Sequence, residues 1–264
     1  MFSLEAQNVW EKIQKIEKSC AHLLNGGSAA VPLTPGRDVV VLDSKLHPPK
    51  LGFSKAEGQA RMLHDLASIE LQAMELGLRT LIEFPEAPAG FREELAAVTI
   101  SEGVHLRLCL EGIQDLGFQW GHWPVHCALW EAVRGEDSLL DRILIVHRYL
   151  EGSGLDAGSY LLQRLDGVES GKGTHKIVAQ INREEIDHVD FGSRWYHRIC
   201  QLEGMDASQD FPRRMEALRW QLPKRMEKIN RELRRKAGFS DDEIRHCELH
   251  RESILPAQQK PAGN

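Results

Sequence analysis

Two glutamate–histidine pairs, Glu102 with His105 and Glu185 with His188, stand three residues apart in stretches whose apolar spacing is helical. Positions i and i+3 share a helix face, so each pair can aim a carboxylate and an imidazole at one point. A third such pair, Glu243 with His246, lies in EIRHCELH near the C-terminal end. With 12 histidines and 39 acids among 264 residues, an isolated Glu-x-x-His arises readily by chance. The first two gain weight from an acid on the preceding helical stretch. Glu70 precedes Glu102 by 32 residues, and Glu151 precedes Glu185 by 34. One glutamate from each of two helices, with a Glu-x-x-His from each of two others, is the recipe of a di-metal carboxylate site inside a helical bundle. Carboxylates bridge and neutralise two divalent ions, and each imidazole adds a nitrogen donor suited to iron. Six ionisable side chains in a core without a cation would be costly.

These ligands need long helices to carry them. Residues 3–24 place Leu4, Trp10, Ile13, Ile16, Cys20 and Leu23 on one stripe, and Gly26-Gly27 ends it. Residues 25–53, with Pro32, Pro35, Pro48 and Pro49, read as an extended arm in which VVVL leaves room for one short strand. Residues 55–83, 91–118, 138–165 and 174–203 form four long periodic segments. FPEAPAG joins the first two and DGVESGKGT the last two. The Trp-rich GHWPVHCALWEAVRGED crosses between the pairs. This predicts an all-α class: a ferritin-like four-helix bundle with one long crossover over residues 55–203. Residues 1–54 are then an N-terminal helix and arm, and 204–264 a helical appendage with a basic helix interrupted at Pro223 and a disordered end, ILPAQQKPAGN. The two turns bring Glu70 level with Glu102 and His105, and Glu151 level with His188, in one layer.

Other residues compete for roles. Glu75 and Asp156 lie five positions beyond Glu70 and Glu151, as alternative ligands, acids that orient the histidines, or polar residues at a bundle edge. His147, one turn before Glu151, reads as an added ligand, a proton relay or a packed imidazole. His64 reads as structural. His126 either lines an entrance or packs with Trp120, Trp123 and Trp130. Gly152-Ser153-Gly154 weakens a plain helix, so a local bulge is expected there. EIRHCELH offers zinc ligands or a solvated helix end. Residues 213–236 carry ten Lys/Arg, either contacts for RNA phosphates or a solvated face. A net charge of −6 gives no overall bias toward nucleic acid. No run of 18 apolar residues predicts a membrane span, and the first residues lack a secretory pattern. Five scattered cysteines without a CxxC point to reduced thiols in a cytoplasm.

The segments LHDLASIELQAMELGL, WPVHCALWEAV, YLEGSGLDAG, EEIDHVDFGSRWYHRIC and LRRKAGFS resemble the domain-of-unknown-function 455 family of the ferritin-like superfamily, from about residue 47 to residue 245. The resemblance implies a ferritin-like bundle and a presumed di-iron site on Glu70, Glu102, His105, Glu151, Glu185 and His188. A distant relative in that superfamily is a tRNA hydroxylase acting on an isopentenyl-adenosine side chain. The chain departs from the family pattern at Ser68, usually His, at His147, usually Pro, and at Gly152-Ser153-Gly154. The expected function is a di-metal oxidoreductase holding two iron ions, or manganese on the same ligands. Dioxygen or peroxide would be activated to oxidise a small molecule or a modified nucleoside. No flavin or nicotinamide motif is present, so a separate electron donor is expected. Iron oxidation, storage or sensing, and an RNA-modifying hydroxylase, are the alternatives.

Overall fold

The computed structural model describes residues 2–224 and 227–254. The all-α class holds: the described residues contain no strand, and the VVVL stretch contributes only an isolated bridge between Val41 and Val125. Helix α1 (Val9–Leu24) starts at Asn8, whose side chain accepts from the amides of Trp10 and Glu11. That satisfies donors the first turn leaves open. The residues before it hold only a short 3₁₀ turn, Ser3–Glu5.

Two long helices follow, α2 (Ala56–Glu83) and α3 (Ala89–Asp115). They fold back on each other across a five-residue turn opened by Phe84-Pro85 and pack along their length. Gly77 makes that approach close, since a Cβ there would stand 2.1 Å from Thr99 Oγ1. The crossover holds one short helix, α4 (Ala128–Glu131). The third rod is composite. Helix α5 (Leu139–Ile143) starts at a Ser138/Asp141 capping box, runs into a π-helical stretch (Leu144–Glu151), and continues as α6 (Gly152–Leu165). Helix α7 (Lys172–Leu202) returns along it and also contacts α3.

The expected bulge therefore lies before Gly152-Ser153-Gly154, not within it. Gly152 has a separate reason: a Cβ there would stand 2.2 Å from Arg234 Nη1. After α7 come α8 (Ala207–Ala217), α9 (Arg231–Lys236) and α10 (Asp241–Ile254). The basic segment thus leaves its helix at Ala217, ahead of Pro223. The expectation of disorder at the end of the chain concerns residues 255–264, outside those described. No described helix is long and apolar enough to cross a membrane.

Candidate metal centre

Helices α3 and α7 bring Glu102, His105, Glu185 and His188 together, with one ligand atom from each within 4.8 Å of the others. His105 Nδ1 lies 3.5 Å from Glu102 Oε2 and 3.5 Å from Glu185 Oε1. His188 Nδ1 lies 2.8 Å from Glu102 Oε1 and 3.2 Å from Glu185 Oε1. Glu70, from α2, brings Oε2 to 3.7 Å from His105 Nδ1. Glu151, at the end of the π stretch, sits close enough to Glu185 and Glu102 to feel their charge. Its carboxylate is turned toward His147, whose Nδ1 lies 2.8 Å from Oε1 and 2.9 Å from Oε2. All six expected ligands are buried.

Burial opposes charge on each of these groups, and neighbours decide the outcome. Glu70 is pushed well above the usual carboxylate range by burial, against the pull of His105. Glu151 is also raised, again chiefly by burial. Glu102 goes the other way: burial is outweighed by His188 and His105, which hold it below its ordinary value. His105 and His188 are raised despite burial, because carboxylates crowd around them. The polar atoms are nonetheless poorly satisfied. Neither carboxylate oxygen of Glu102 has a hydrogen bond of acceptable geometry, nor has His105 Nδ1. Buried polar atoms are almost always paired. Two carboxylates and two imidazole nitrogens converging on one point form a donor set for a divalent first-row ion, so the group can hold a metal.

One contributor was not expected. Glu184 Oε2 lies 3.0 Å from His105 Nε2, the ring nitrogen that faces away from the other ligands. A carboxylate behind a metal-binding imidazole fixes its tautomer and orientation. The signal was the doubled glutamate of EEIDH; what the spacing hides is that Glu184 reaches across to α3. Its side chain is 35% exposed against 11% for Glu185 and 6% for His188, so it marks the side on which the layer meets solvent.

The remaining candidates lie elsewhere. Glu75 does not orient a histidine: it takes Lys12 Nζ at 2.9 Å and both Nη atoms of Arg37 at 2.6 Å. Asp156 likewise takes Arg234 and Arg251, each at 2.8 Å, and the Asn230 amide at 2.8 Å. Both acids anchor the ends of the chain. His64 Nε2 accepts from the Gly121 amide, and its ring stacks on Trp120 at 4.6 Å under the crossover. Burial lowers its pKa to about 4. His126 Nδ1 accepts from the Ala128 amide, and its ring lies 5.9 Å from that of His47. The third Glu-x-x-His is not a zinc pair, because Glu243 is held by Arg148 at 2.8 Å and His197 at 3.2 Å. In the basic stretch, Arg231, Arg234, Arg235 and Lys236 all pair with acids. Burial raises the Cys109 thiol well above its ordinary value.

A family model described as "Protein of unknown function (DUF455)" matches residues 5–245. An uncharacterized protein of Haemophilus influenzae is 32% identical over 204 residues, covering 74% of this chain and 70% of the relative. No solved structure matches. With the family model spanning nearly the whole length, the chain belongs to the DUF455 family.

Proposed function

We propose that the chain is a ferritin-like four-helix bundle with one long crossover, and that its centre holds two metal ions, iron in the working protein. The observation that supports this most directly is the convergence of Glu102, His105, Glu185 and His188, all buried, with one ligand atom from each within 4.8 Å of the others. Two carboxylates and two imidazoles meeting at one buried point are the donors a divalent first-row ion takes. Glu102 lies between His105 and His188 and would be the carboxylate shared by both ions. Glu70 would complete the position served by His105, and Glu151 and Glu185 the position served by His188. Two iron ions there would supply the redox chemistry to reduce dioxygen or peroxide and oxidise an organic substrate, with electrons from a separate donor.

The chain's own residues have definable tasks. Glu184 holds the His105 ring from outside. Glu70 and Glu151, both raised, are the carboxyls able to hold a proton at an oxygen until a cation displaces it. The test is the metal content of protein purified aerobically from an iron-supplemented host, beside Glu102→Ala and Glu185→Ala. Two iron atoms per chain, lost in both variants, are expected. A metal-free wild type after reconstitution would end the reading.

A further inference from the structure

The third rod changes its winding over Leu144–Glu151, the stretch that carries His147 and ends on Glu151. All eight residues are buried. A π turn is rare and concentrates at functional sites. The surroundings are shaped to admit the His147 ring. On α7, Gly192 faces it, and a Cβ there would stand 2.4 Å from His147 Cβ, so a larger residue would push the rod away. Phe191 supports the ring edge-on, at 5.0 Å and 88°. His147 is 2% exposed, its Nδ1 hydrogen-bonds Oε2 of Glu151 at 2.9 Å with Oε1 lying 2.8 Å away outside hydrogen-bond geometry, and its Nε2 has no hydrogen-bond partner.

The other half of the centre lacks this device. The nitrogen beside the Glu70 carboxylate is His105 Nδ1, which itself faces the centre. The residue one turn before Glu70 is Leu66, which has no donor to offer.

We propose that His147 is a positioning residue that keeps one oxygen of Glu151 for itself. Glu151 then offers a single oxygen to the metal it shares with Glu185 and His188, and a small exogenous ligand of the size of dioxygen binds at the position left open on that metal. A carboxylate can ligate through one oxygen or two, and an N–H donor locked onto it favours one. Glu70, without such a donor, is free to use both. The inference rests on the di-metal reading and adds an asymmetry to it, with the open position on the side of the π stretch.

The test uses the full chain loaded with iron and titrated with azide, whose charge-transfer absorption reports an open coordination position. His147→Phe removes the donor and keeps a ring. His147→Asn restores an amide donor near the position of Nδ1. His147→Leu is made in parallel, so that a folding defect specific to phenylalanine does not decide the result. The expected result is two iron atoms per chain throughout, azide affinity at least about tenfold weaker in His147→Phe and His147→Leu, and recovery in His147→Asn. Equal azide affinity in all four proteins, with two irons each, overturns the assignment while leaving the metal centre intact. Loss of one iron from the Phe and Leu variants also overturns it, since His147 would then govern occupancy instead of the sharing of Glu151's oxygens. A wild type that takes up no iron fails at the metal analysis and removes the di-metal reading along with this one.

Discussion

Glu70 and Glu75 lie on one helix, Glu151 and Asp156 on one rod, and in both cases five residues separate two buried acids with opposite surroundings. Glu75 and Asp156 are saturated with cations, Lys12 and Arg37 for the first, Arg234 and Arg251 for the second. Glu70 and Glu151 share their layer with Glu102 and Glu185, and among the described residues His105, His188 and His147 are the basic groups that face these four acids. Glu75 and Asp156 each meet two cations and serve as structure. In the other set, four acids meet three histidines, which leaves room for charge from outside. Burial of a carboxylate is thus uninformative alone; the count of cations around it separates an anchor from a ligand.

The strongest test of that contrast is stability without metal. Glu75→Gln and Asp156→Asn each leave two buried cations without their counter-charge, and a loss of about 3–5 kcal/mol is expected, read from urea unfolding. Glu70→Gln replaces a carboxyl already pushed toward its neutral form and is expected to cost much less. Equal losses at Glu70 and Glu75 would erase the distinction.

The histidines sharpen it next. His105 and His188 are raised by acids, whereas burial holds His64 down to about 4. The unfolded chain binds a proton at His64 below about 6.5, while the native chain stays neutral there. Stability from this site is therefore full above that pH and falls on acidification toward 4, by about 3 kcal/mol in all. Thermal unfolding from pH 7 to 4 should show a shallower decline in His64→Phe, and parallel curves would count against the assignment.

A smaller effect concerns the two halves of the centre. Glu184 stands behind His105, but the residue before Glu102 in the other half is Ser101, which carries no charge. Glu184→Gln should weaken metal binding about 10- to 100-fold, and Ser101→Ala should leave it near wild type; chelator competition measures both. The smallest change is expected at the surface, where Arg194 and Glu94 pair with half-exposed side chains. Glu94→Gln should alter stability by less than about 1 kcal/mol, and a larger loss would mean that exposed pairs matter here as the buried anchors do.

The all-α class and the convergence of Glu102, His105, Glu185 and His188 could be read in advance, because both rest on short-range periodicity. An i, i+3 pair shares one helix face, and the apolar stripes of these two long helices set that face inward. The choice between Glu70 and Glu75, or Glu151 and Asp156, could not be read with the same force. What distinguishes them is cations at positions 12, 37, 234 and 251, remote in sequence. The third Glu-x-x-His shows the same limit: its spacing matches the other two, yet Arg148 and His197 claim Glu243. Glu184 was hidden by its neighbour, since helical periodicity assigns it to solvent and only the approach of α3 gives it a ring to hold. The π stretch leaves no mark in the apolar pattern, and of the two glycines after it Gly152 is the one that admits Arg234.

The two anchors also differ in when they can form. A chain emerges from the ribosome N-terminus first and begins folding as it does so. When Glu75 appears, Lys12 and Arg37 have already been made, the nearer only 38 residues behind it. Asp156 must wait for Arg234 and Arg251, 78 and 95 residues later. Its buried place therefore stays open until Arg251 has been made. The first helical pair can set early, while the second closes only when α9 and α10 arrive, so a ribosome stalled before Arg234 would display a half-closed protein with its second acid still bare.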